Sequence, residues 1–161
     1  MITRRDILVA VIAIFATAAA VTFAQTAAKS VLHSAIFNWK DLKLESKPSG
    51  ERRGVFDSAT STLDRLECHI TTLNPGQSPH AMHRHPEEEL MIVKEGTIEE
   101  VQNGVTNRVE AGGIIFCASN EWHGMRNIGT NEATYFVVKI YPHGLNTNRV
   151  DEVAKPVAPA K

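Results

Sequence analysis

The sequence predicts an all-β fold, a small barrel or jelly roll, and three observations carry that expectation. Short runs of branched and aromatic residues recur at regular intervals, turn residues separate them, and beyond residue 24 no stretch has convincing helical periodicity.

Taken in order, Ser30 to Glu45 sets Phe37, Trp39, Leu42 and Leu44 among polar residues and reads as an irregular arm with a short edge strand. Such an arm can cover the barrel or reach a partner subunit. Lys47-Pro48-Ser49-Gly50-Glu51 is a turn cluster. Gly54 to Asp57 and Asp64 to Leu73 read as strands, and Asn74-Pro75-Gly76 breaks the second. Glu89 opens Glu-Leu-Met-Ile-Val, an apolar run suited to a buried strand. From Thr97 to Val109 two extended runs flank Asn103-Gly104, a strong hairpin signal, and their alternation leaves one face wet. Gly113 to Cys117 and Thr134 to Tyr141 supply two further strands, the latter closing the fold. Pro156 and Pro159 among alanines and lysines mark a flexible tail from 146 to 161.

The start of the chain has a different character. Arg4-Arg5 precedes an almost uncharged apolar stretch from Ile7 to Ala24, which reads as an export signal of twin-arginine type over 1–24. An ordinary secretory signal or an uncleaved membrane anchor is the alternative. The expected location is therefore the periplasm or outside the cell, with membrane anchoring as the alternative and the export machinery as a partner. Roughly 135 residues remain, enough for one compact domain, with an arm over 25–60 and the barrel over 61–145. A formal net charge of −1 gives no basis for nucleic-acid binding. Cys68 and Cys117 each fall inside an expected strand and read as two buried thiols, although a disulfide stays open outside the cytoplasm.

Chemistry concentrates in four residues. His83 and His85 are two apart, so on an extended segment both imidazoles leave one face. Glu89 sits where the next strand enters the core, and His123 follows a later strand that can return it to the same place. Three neutral nitrogens and a carboxylate oxygen suit a divalent first-row metal and leave positions for water or substrate. The competing reading is a set of solvated turn histidines beside an exposed Pro86-Glu87-Glu88. His80 can swap in as a ligand, act as a base, or line the mouth.

With these residues, the chain resembles the cupin superfamily from about Leu66 to Tyr141. The first cupin motif appears as Gly76, His83-Arg84-His85, Glu89 and Gly96, with one extra residue after Gly76. The second appears as Gly112, Ala118-Ser119-Asn120, His123 and Asn127, with Ala118 and Asn120 in place of the usual Pro and Gly. Asparagine tolerates the left-handed backbone, so the turn is expected to survive. The resemblance implies a double-stranded β-helix of the single-barrel type with His83, His85, Glu89 and His123 as ligands of manganese, iron, nickel or zinc. It also implies pairing into a homodimer through edge strands and the arm.

Alternation from Glu89 sends Met91 and Val93 inward, and His123 brings Met125 and Asn127 with it. With Phe116, Phe136 and Val138 from flanking strands, the expected pocket is mainly apolar and suits a nonpolar or aromatic small molecule. Arg84 and Arg126 point away, leaving no evident positive clamp. Because one barrel hosts many chemistries, the reaction stays open between an oxygenase-like or lyase-like enzyme and a binding module without turnover. In the enzyme, Glu89 and His80 are the candidate catalytic groups.

Overall fold

The computed structural model describes residues 31–147 and the short strand at 152–153. The export signal expected over 1–24, the start of the arm and most of the tail lie outside the described residues.

Among the described residues, eleven strands follow a 3₁₀ turn at Trp39–Asp41: β1 Leu44–Lys47, β2 Gly50–Ser58, β3 Leu63–Leu73, β4 His83–Arg84, β5 Glu88–Glu95, β6 Thr97–Gln102, β7 Val105–Glu110, β8 Ile114–Cys117, β9 His123–Asn127, β10 Ala133–Pro142 and β11 Glu152–Val153. They form two antiparallel sheets, β1-β2-β3-β10-β5-β8 and β11-β4-β9-β6-β7. The all-β expectation is met, and the arrangement is a jelly-roll sandwich. The central strands β3, β10 and β5 have their inner faces buried, whereas β7 at a sheet edge is almost entirely exposed.

Turn chemistry falls where residue type allows it. Asn103 and Gly104 both have positive φ, 48° and 85°, so the β6–β7 hairpin uses the primed turn expected of Asn-Gly. Asn120 takes φ 62°, which explains why the turn before His123 forms without the usual glycine. Gly96 joins β5 to β6 at φ 86°, and a Cβ there would lie 2.6 Å from the Cα of Ala133. Gly96→Ala is therefore expected to cost roughly 2–4 kcal/mol from strain and collision together, read as a lower urea midpoint with unchanged slope.

Leu73, Met91, Val93, Ile98, Ile115, Cys117, Met125 and Tyr135 make up most of the core between the sheets. The arm covers the outer face of the larger sheet. Phe37 packs on Phe56 at 5.5 Å between ring centroids, and Trp39 receives Arg53 at 5.0 Å and Lys94 at 4.8 Å. Beneath it Cys68 and Ile70 are buried. Both cysteines are free thiols. In the stretch expected to be a tail, Glu152 and Val153 pair with Arg84 and His83.

Candidate metal centre

Strand β4 is only two residues long, yet it carries the first ligand candidate directly opposite another, because His83 pairs with His123 of β9. Residues facing each other in an antiparallel pair share a side of the sheet. Two residues beyond His83, His85 turns to that same side. It is held by its own carbonyl, which accepts from Asn120 N–H at 2.8 Å. Ring centroids of the three histidines are 4.6–5.2 Å apart, and one nitrogen from each lies within 4.8 Å of the others.

The orientation of each ring is set from behind. His85 Nδ1 lies 3.0 Å from the Glu87 carbonyl and His123 Nδ1 lies 2.9 Å from the Glu121 carbonyl. A carbonyl only accepts, so in the neutral rings Nδ1 carries the proton and Nε2 keeps its lone pair. Both Nε2 atoms, and Nδ1 of His83, are buried without any hydrogen-bond partner. Buried polar atoms are almost always paired. Three unpaired nitrogens converging on one point therefore fit a metal ion. Burial, with His80, His123 and His85 nearby, depresses the pKa of His83 to about 3, keeping the ring in the neutral form a metal requires.

Glu89 stands at the edge of this group. Its Oε2 is 3.5 Å from His85 Nε2 and 3.4 Å from Lys139 Nζ. Burial works against its ionisation, but His85 and the Lys139 ammonium outweigh it and bring the carboxyl down to about 2. His80 is exposed at the mouth, its ring meeting the His83 ring edge-on at 4.1 Å and its Nδ1 3.0 Å from the Ala81 carbonyl. Arg84 stacks over Trp122 at 5.2 Å, and Arg126 pairs with Glu99 on the surface at 3.0 Å.

Beside His123 opens a cavity of about 420 Å³ whose lining also includes Glu89, Met91, Met125, Tyr135 and Val137. Met91 and Met125 take the positions expected of them. Val93 points inward but is sealed in the core at 1% exposure. Phe116 and Phe136 require correction. Glu89 pairs with Cys117 and Met91 with Val137, so Cys117 and Val137 face inward while Phe116 and Phe136 occupy the outer face. Phe116 is 51% exposed. Asn127 is fully buried but structural: its amide donates to the Leu73 and Asn131 carbonyls and its oxygen accepts from Gly129 N–H.

The cavity is also more polar than expected. Lys139, Glu67, His69 and Arg52 line it, none of them anticipated. Glu87, expected in an exposed turn, is 5% exposed and accepts from Lys139 Nζ at 2.9 Å and from the Tyr141 hydroxyl at 3.0 Å. Across the inner face Glu67 pairs with Lys139 and Lys139 with Glu89, giving alternating charges along one row. The one signal in the sequence is parity: Lys139 interrupts an apolar strand, and Glu67 and His69 alternate with Cys68 and Ile70.

Residues 69–139 match the family model described as the cupin domain. Among solved structures, an RmlC-like cupin from Shewanella frigidimarina matches with TM-score 0.56 and 16% identity over 72% of this chain and 96% of that one. A predicted oxalate decarboxylase from Thermotoga maritima matches with TM-score 0.54 and 20% identity over 66% and 99%. A polyketide cyclase from Streptomyces resistomycificus gives TM-score 0.55 and 22% identity over 71% and 87%. At these identities the likeness is one of fold. Residues 69–139 are therefore a cupin domain, and the three histidines within it can hold a metal ion.

Proposed function

We propose that the protein is a metal-dependent enzyme acting on a small organic molecule, of oxygenase-like or lyase-like type. The observation that carries this reading is the set of three clustered histidines with unpartnered buried nitrogens, one of which, His123, lines a cavity large enough for a small substrate. His83, His85 and His123 hold the ion, with Glu89 as a fourth ligand within reach or as a base beside it. Bound there, a divalent transition metal supplies Lewis-acid polarisation of a substrate oxygen and, where redox-active, electrons for reaction with dioxygen. The chain itself binds the substrate between Met91, Met125, Tyr135 and Val137, with Lys139, Glu67 and Arg52 lining the same cavity. That similar folds include a predicted decarboxylase and a cyclase supports catalysis over simple binding.

Elemental analysis followed by turnover assays of the manganese, iron, nickel and zinc forms on phenolic and carboxylic compounds tests the reading. The manganese or iron form is expected to consume oxygen or release product. Zinc, being redox-inert, is expected to preserve ligand binding and to abolish any oxygenation; oxygenation retained by a verified zinc form would rule out the oxygenase version. A protein that binds metal and ligand without turnover on any metal would instead be a binding module.

We further propose export to the periplasm or beyond through the arginine-containing leader, and self-association as a homodimer. Ile114 and Phe116 on edge strand β8, 67% and 51% exposed, beside Ile92 on β5, form an apolar outer patch that supports the latter.

A further inference from the structure

Resting on the reading of the cavity as a metal-dependent active site, we propose that His69 is its proton acceptor, a catalytic residue directed at substrate, and that Glu67 is the positioning residue that holds it. Strand periodicity puts Glu67, His69 and Thr71 of β3 on one inner face, and all three line the same cavity as Glu89 and His123. His69 Nδ1 lies 2.9 Å from Glu67 Oε1, and Arg52 Nη2 reaches that same oxygen at 2.7 Å. Burial opposes ionisation of Glu67, but His69, Arg52 and Lys139 override it and lower its pKa. An ionised carboxylate only accepts, so Nδ1 of His69 bears the proton and Nε2 of the neutral ring has an open lone pair.

The contrast with the metal-site histidines is informative. Where His85 and His123 are oriented by neutral backbone carbonyls, His69 is oriented by a buried anion. A carboxylate partner fixes the tautomer and the orientation of the ring, which leaves Nε2 as the atom that can take a proton. Placement fits as well. His69 pairs with Val137 and Val137 with Met91, so His69 stands two strands from β5. That is roughly 10 Å from Met91 along the cavity wall, and the same cavity reaches His123 of the metal centre. In the step, a substrate held at the three-histidine centre presents a hydroxyl or acidic C–H to His69. The proton passes to Nε2, the electron pair of the broken bond stays on the substrate atom, and Nδ1–H stays on Glu67.

The charged and titratable groups that line the cavity with His69 are Glu67 on its own strand, Lys47 on β1, Glu51 and Arg52 on β2, Glu89 on β5, Tyr135 and Lys139 on β10, and His80 and His123. The first test is long-range ¹⁵N NMR of the diamagnetic full chain purified with added zinc. Neutral His69 is expected almost wholly as the Nδ1–H tautomer, and E67Q to shift it toward Nε2–H. The second is turnover on whichever compound the assays above yield. H69Q is expected to lose ~100-fold or more in kcat with KM and metal content near those of the parent. E67Q is expected to lose ~10-fold in kcat, with KM and metal content near those of the parent.

An Nε2–H tautomer in the parent, or an H69Q enzyme whose kcat stays within about twofold, overturns the dyad while leaving the metal reading intact. A chain that takes up no metal and turns over nothing sinks the enzyme reading, and the catalytic role with it. The tautomer then still decides whether Glu67 holds the ring.

Discussion

His85→Ala is expected to weaken metal binding by well over ~100-fold while leaving the barrel folded. Loss of a partner behind a ligand already costs about 10–100-fold in affinity, and here the ligand itself is removed. His85 is the most enclosed of the three, 2% exposed, and its ring contacts both His83 and His123. No neighbour can take its place, because Glu89 is drawn toward Lys139 and His80 sits at the open mouth. Elemental analysis and calorimetric titration measure the loss, and circular dichroism of the metal-free variant checks the fold. His80→Ala is the control, expected to keep metal content unchanged. Stoichiometric metal in folded H85A would remove the basis of the proposed function.

Replacing Glu100 by glutamine is expected to stabilise the protein at neutral pH by roughly 2–4 kcal/mol. Glu100 is 2% exposed, its Oε2 has no partner, and its nearest polar neighbour is the Cys117 thiol at 3.8 Å. Burial, reinforced by the Glu89 charge and only partly offset by Cys117, raises its pKa from 4.5 to about 8. The folded chain thus holds the acid form, whereas the unfolded chain ionises above about 4.5. Stability contributed by this group is present below that pH and is lost as pH rises toward 8. The amide cannot ionise, so the advantage of E100Q should be small at pH 4.5 and full at pH 8. Urea midpoints of both proteins at the two pH values report it; a difference that does not change with pH would show that Glu100 is ionised in the fold.

The three-histidine group was legible in the sequence because two of its members share a strand face by simple parity and the third follows a readable turn. The strands themselves were legible from alternation and from Asn103-Gly104. What escaped was everything set by pairing between distant strands. Phe136 and Val138 look as suitable for an interior as Tyr135 and Val137, and only the register of β10 against β5 decides between them. Glu87 looks exposed beside Pro86 and Glu88 until Lys139, far along the chain, comes to meet it. A buried ion pair is invisible when one partner is read at a time. His69 and Glu67 were overlooked for the same reason, being two ordinary polar residues until β2 delivers Arg52 to them.

Strand β4, which bears His83, is completed on its outer side by residues 152–153. The strand that carries one of the three rings therefore gains its second neighbour only after the chain has run past β10, the last strand of the larger sheet.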